Sequence, residues 1–132
     1  MELAKLALKP VEEWFRQAEY DLGTAEAMFK SRRYIYTVFM CHLGIEKALK
    51  GLYTKSVKKE PLKTHDLIFL SEKTQLELPV EMREFLDRLN DLSVPTRYPD
   101  ELNRLLKQYN RTKTSEVLSQ TKALLAWLKK EV

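Results

Sequence analysis

From Pro10 onward the apolar positions recur at helical spacing. Phe15, Ala18, Leu22, Ala25 and Phe29 follow at intervals of 3-4-3-4, with Trp14 and Met28 on the flank. That rhythm marks one buried helix face. Glu12, Arg16, Glu19, Glu26 and Lys30 take the other face, so an amphipathic surface helix is predicted. Pro10 suits its first turn, Glu12 and Glu13 its positive dipole end, and Lys30, Arg32 and Arg33 its negative end. A second helix is predicted from Tyr34 to about Lys55, and its pattern differs. One stripe, Thr37, Cys41, Gly44, Ala48 and Gly51, is entirely small. Nearly opposite runs Ile35, Phe39, His42, Glu46, Leu49 and Tyr53. Only Lys47, Lys50 and Thr54 form a wet face, and toward the N-terminus Tyr36, Met40 and Leu43 replace it. A helix apolar nearly all round is central in its bundle or covered by another subunit. The small stripe predicts a close neighbour, and the first helix, with Ala18 and Ala25, is the natural one.

The rest of the chain is more broken. Lys55 to Lys63 reads as a basic connector, and Thr64 as the N-cap of a short third helix opening on His65 and Asp66. Pro79 starts a fourth helix carrying Met82, Phe85, Leu86 and Leu89. Residues 93–113 read as an irregular segment that includes a short helix from Asp100 to Tyr109. Thr114 or Ser115 is the expected cap of the last helix, with its stripe of Val117, Thr121, Leu124 and Leu128. No stretch alternates like a strand. The pattern predicts an all-α, up-and-down bundle of about five helices.

Composition narrows the class. With 132 residues the chain fits a single domain, its core over about residues 10–130. Apolar residues make up 44% and charged residues 32%, which excludes wholesale disorder. Three Gly and five Pro are too few for a turn-rich β fold. The net charge of +4 permits a phosphate-bearing partner without demanding one. The most apolar run, Tyr34 to Ile45, is too short and too polar to span a bilayer. With one cysteine and no secretory signal, a reducing, cytoplasmic setting is the expectation.

Candidate chemistry is sparse. Cys41, His42 and His65 have no zinc-ligand spacing, and every glycine falls inside a helix, so neither a metal site nor a phosphate loop is expected. Cys41 and His42 diverge by about 100° around the helix and cannot act as a nucleophile pair. His42 and Glu46 share a face and lie within hydrogen-bonding reach among apolar neighbours. They read either as a structural buried pair or as a polar element lining a groove. Asp21 interrupts the apolar stripe of Trp14, Ala18, Ala25 and Met28, at a position from which it could face the second helix. Thr96-Arg97-Tyr98-Pro99-Asp100 gathers cation, aromatic and acid in one turn, with Arg104, Tyr109 and Arg111 close behind. It reads equally as a binding loop or as a local bridge between Arg97 and Asp100. Lys47, Lys50, Lys55, Lys58, Lys59 and Lys63 form a basic patch, either a solvated face or an attractor of phosphates.

The run AEYDLGTAEAMFKSRRYIYTVFMCHLGIEKALKGLY, the KTHDL at the third helix and the later TRYPD together resemble the HEPN domain family, from about Pro10 to Leu128. The resemblance implies a helical bundle like the substrate-binding domain of aminoglycoside nucleotidyltransferases. It implies a homodimer and a separately encoded minimal nucleotidyltransferase as partner, often in a toxin–antitoxin-like two-gene unit. Nucleotide, substrate or RNA binding is the role it suggests, with no cofactor. The positions matching the family's recurrent polar residues are Asp21, His42, Glu46, Lys47, Lys50, His65, Arg97, Tyr98 and Asp100. Of these, Asp21, His42, Glu46, Lys50, Arg97, Tyr98 and Asp100 are the expected ligand-binding set. Some members are metal-independent ribonucleases that carry an Arg and a later His with four to six residues between them. Here the matching positions after Arg97 hold Leu102, Asn103 and Arg104, and those after Arg104 hold Tyr109, Asn110 and Arg111. The expected function is therefore a non-catalytic binding bundle. A ribonuclease toxin with a degenerate motif, using Arg97 or Arg104 with His42 or Tyr109, is the alternative.

Overall fold

A computed structural model describes residues 8–92 and 99–132. These residues form helices α1 (Val11–Lys30), α2 (Tyr34–Val57), α3 (Leu67–Lys73), α4 (Val80–Asn90), α5 (Pro99–Gln108) and α6 (Arg111–Lys129), with no strand among them. The all-α bundle is as the periodicity predicts, with six helices in place of about five. None of the described helices is long and apolar enough to cross a membrane.

α1 and α2 form a long antiparallel hairpin. The turn closes through the Arg33 amide on the Met28 carbonyl at 2.8 Å, with Arg32 in the left-handed region at φ 62°. α6 lies against both helices, α3 bridges α2 and α4, and α5 leans on the start of α2. More than half of the 24 residues of α2 are buried, so α2 is the central helix. Ala18, Ala25, Cys41, Ile45, Leu49, Leu86, Leu124 and Leu128 belong to the main core, and Ile35, Val38, Leu105 and Tyr109 form a smaller one beneath α5.

The small stripe of α2 meets α1 as its composition predicts. A Cβ placed on Gly44 would lie 3.2 Å from the Ala18 carbonyl oxygen, and one on Gly51 would lie 2.6 Å from Trp14 Cβ. A Cβ on Gly23, by contrast, meets nothing within 4 Å. Alanine gains about 1 kcal/mol over glycine in a helix interior, whereas overpacking costs about 1–3 kcal/mol. Gly23→Ala is therefore expected to stabilise the chain by up to about 1 kcal/mol, and Gly51→Ala to destabilise it by about 1 kcal/mol net. Urea-unfolding midpoints of the two variants decide this. A stabilised Gly51→Ala would show that the helices do not approach this closely.

Several expected boundaries move, two of them because a better cap lies nearby. Pro10 and Pro79 sit at the N-cap positions, in extended backbone, rather than inside the first turn. α3 is capped by Asp66, whose carboxylate accepts the Phe69 amide at 3.1 Å. Thr64, the expected cap, accepts the Asp66 amide instead at 3.1 Å. α6 begins at Arg111 because Asn110 accepts the Lys113 amide at 2.9 Å. Thr114, expected to cap it, is buried within the helix. The short helix expected from Asp100 to Tyr109 is present. Residues 99–108 are helical, since Leu105 and its neighbours bury one face against Ile35 and Val38.

Candidate functional site

Glu46, on α2, is a buried carboxylate that joins Lys50 of the same helix to the exposed His65 of the connector before α3. Its side chain is only 5% exposed. One oxygen, Oε1, accepts from His65 Nδ1 at 2.8 Å, and the other, Oε2, accepts from Lys50 Nζ at 3.0 Å. Lys50 reaches it because residues four apart on a helix stack on one face. His65 reaches it because the connector before α3 is fixed from below: Asn90, at the end of α4, accepts the Leu67 amide at 2.7 Å and donates to Asp66 at 3.1 Å. A carboxylate only accepts, so Nδ1 of His65 carries the proton in this contact.

His42 is buried beside this group but is not hydrogen-bonded to Glu46. Its Nδ1 lies 3.8 Å from Oε1, and its Nε2 is buried with no hydrogen-bonding partner. Burial pulls the imidazole pKa down to about 4, the Glu46 carboxylate opposes that pull, and the His65 ring reinforces it. His42 is thus a neutral core imidazole at neutral pH. The bond expected between His42 and Glu46 is replaced by the contacts of Glu46 with Lys50 and His65. Both come closer, and both bring charge or a donor hydrogen to the carboxylate.

Asp21 is buried on α1 where Gly44 lets the helices approach, and Lys47 forms an ion pair with its Oδ2 at 2.9 Å. The expected wet face of α2 is therefore largely engaged: Lys47 with Asp21, Lys50 with Glu46, and Thr54 back to the Lys50 carbonyl. Cys41 is buried and its thiol pKa is pushed up to about 11, chiefly by burial, which leaves it an unreactive core residue. Arg97 and Tyr98 lie outside the described residues, and Asp100 is placed only by its backbone, in the first turn of α5. Among the described residues no group of three His, Cys, Asp or Glu side chains gathers closely enough to hold a metal ion.

A second arrangement emerges between α4, α5 and α6. A hollow of about 790 Å³ is lined by Arg88 and Asp91 at the end of α4, Glu101 and Arg104 on α5, and Lys113 and Glu116 on α6. Tyr109, between α5 and α6, also lines it. Burial raises the Tyr109 pKa above the usual phenol value, Arg104 and then Arg88 oppose the rise, and Asp91 adds to it. The phenol therefore stays protonated and available as a donor. Arg88 is steadied by the Phe85 ring, 5.8 Å from its guanidinium carbon. Neither histidine of the chain lines the hollow.

In the linear sequence Arg104 and Tyr109 stand out as followers of the Arg97 turn and as members of the degenerate ribonuclease motif, whereas Arg88 and Lys113 carry no signal. Each looks like an ordinary surface charge on its own helix, and only packing makes the helices converge. His65 carried one signal, its place among the recurrent polar positions, and the fold is what brings it to Glu46.

The family model of the HEPN domain matches residues 11–132. The chain belongs to the HEPN domain family. It is similar in structure to TT1696 from Thermus thermophilus, at a TM-score of 0.77 and 23% identity, over 92% of this chain and 98% of that one. It is also similar to ST0689, an archaeal HEPN homologue, at a TM-score of 0.74 and 25% identity, over 94% of this chain and 98% of that one. No curated protein matches it.

Proposed function

We propose that this HEPN bundle is a non-catalytic binding subunit that takes a nucleotide in the hollow between α4, α5 and α6, and that it works with a separately encoded minimal nucleotidyltransferase. The observation that carries the first part is the convergence of Arg88, Arg104 and Lys113 with the Tyr109 phenol around one hollow. Guanidinium groups match phosphate oxygens in charge and geometry. Asp91, Glu101 and Glu116 balance those cations in number. That favours a compact ligand over a long polyanion, which would need a continuous basic track. The same carboxylates can accept from base or sugar donors. The ionic group at Glu46 belongs to the scaffold, since its members satisfy one another.

Calorimetric titration with nucleoside mono-, di- and triphosphates tests the reading. Binding by the wild-type chain, weakened about tenfold or more in Arg104→Ala, is the expected result, because one charge-assisted phosphate contact is worth about 1.5–3 kcal/mol. No nucleotide binding by the wild type would overturn it. Metal-independent RNA cleavage abolished by Arg104→Ala would replace it with the ribonuclease reading. Co-purification with a nucleotidyltransferase encoded by the adjacent gene would support the partner.

A further inference from the structure

The hairpin of α1 and α2 carries an apolar surface that the bundle covers only in part, Met40 reaching the main core from its edge. At its turn a hollow of about 520 Å³ is lined by Met28, Tyr36 and Met40 with Ser31 and Arg33. Tyr36 is 54% exposed, Met28, Met40 and Leu43 are half-buried, and Ala27 is exposed. Tyr36, Met40 and Leu43 lie on the part of α2 where Lys47, Lys50 and Thr54 would predict a wet face farther along. A solvent face of a helix ordinarily carries polar residues. Methionine adapts to a partner's shape, and tyrosine buries a large area at low entropic cost.

Charge says what covers this surface. Lys30, Arg32 and Arg33 are exposed around the turn, and none of them forms an ion pair with a described residue. The nearby carboxylate of Glu26 is already engaged by Lys122 at 3.5 Å. A second copy docked symmetrically on this face would bring two such cationic sets together, which opposes self-pairing. We propose that the turn end of the α1–α2 hairpin docks a segment of a partner protein in which apolar anchors such as Leu, Ile or Phe are flanked by Asp or Glu. The anchor fills the hollow between Met28, Tyr36 and Met40, and the flanking carboxylates meet Arg32 and Arg33. The face is separate from the hollow at Arg104, so this inference and the nucleotide reading fail independently.

The test is selection of random phage-displayed peptides on the intact protein, followed by fluorescence anisotropy of the enriched peptides. Enriched sequences are expected to pair acidic residues with Leu, Ile or Phe and to bind more weakly as salt rises. Their affinity should fall about tenfold or more in Met40→Glu and in the double variant Arg32→Glu/Arg33→Glu, and stay unchanged in Arg104→Ala. Tyr36→Glu, at an exposed position, carries the apolar arm if circular dichroism shows Met40→Glu unfolded. Three results overturn the inference: no enrichment, enriched peptides lacking acidic residues, or a sedimenting dimer that Met40→Glu or Tyr36→Glu dissolves.

Discussion

Replacing Glu46 with alanine is expected to remove about 3 kcal/mol of stability, the lower end of the range for breaking a buried ion pair. The carboxylate uses both oxygens, on Lys50 and on His65, and is itself 5% exposed. Without it the Lys50 ammonium, on a side chain only 14% exposed, loses its counter-charge, and the connector before α3 loses its tether. Lys50 can turn partly outward, which is why the lower end applies. Glu19→Ala is the control. Its contact with Lys129 is shorter, 2.6 Å, but the two side chains are 48% and 61% exposed. Water screens such a pair, and its loss should cost less than about 1 kcal/mol. Urea unfolding of both variants decides the matter; equal losses would show that Glu46 is not a hub.

Acidification is expected to destabilise the chain through His42. Its pKa falls from an ordinary 6.5 to about 4 in the folded protein, so the unfolded chain takes up the proton first. Stability from the neutral imidazole is present in full above about pH 6.5. It is lost as pH falls toward 4, and below that the folded state also protonates and the loss stops. The size is about 3 kcal/mol across that window, from 1.36 kcal/mol per pKa unit. His42→Gln removes the titration while keeping a polar side chain of similar reach. Wild type should therefore lose about 3 kcal/mol more than His42→Gln between pH 7 and pH 4. Parallel losses in the two proteins would assign the acid sensitivity to other groups. In Glu46→Ala the loss through His42 should grow, because the carboxylate that favours the charged imidazole is gone.

These two residues show how far the linear pattern reaches. Their four-residue spacing on an apolar stripe is legible, and so is their burial. Their chemistry is not, because the decisive partner, His65, arrives from a connector positioned by Asn90 at the far end of α4. The hollow at Arg104 is still less legible. Arg88, Arg104 and Lys113 lie on three helices, and no spacing rule links charges across separate helices. The cap of α6 is legible in the sequence. Asn110 is a preferred N-cap residue, and Thr114 and Ser115 compete with it because Ser and Thr also favour that position.

The sequence alone determined the helices and narrowed α2 to a helix central in its bundle or covered by another subunit. Both follow from local rules: the 3.6-residue period and the run of small side chains where another helix must come close. It also pointed to the tight contact of α1 with α2 at Gly44 and Gly51, since both continue a stripe of small residues, whereas the isolated Gly23 meets no neighbour. Tertiary structure decided which polar groups meet. Ion pairs and hollows depend on distances of a few ångströms between residues far apart in the chain, and those distances are fixed only when the apolar faces have packed.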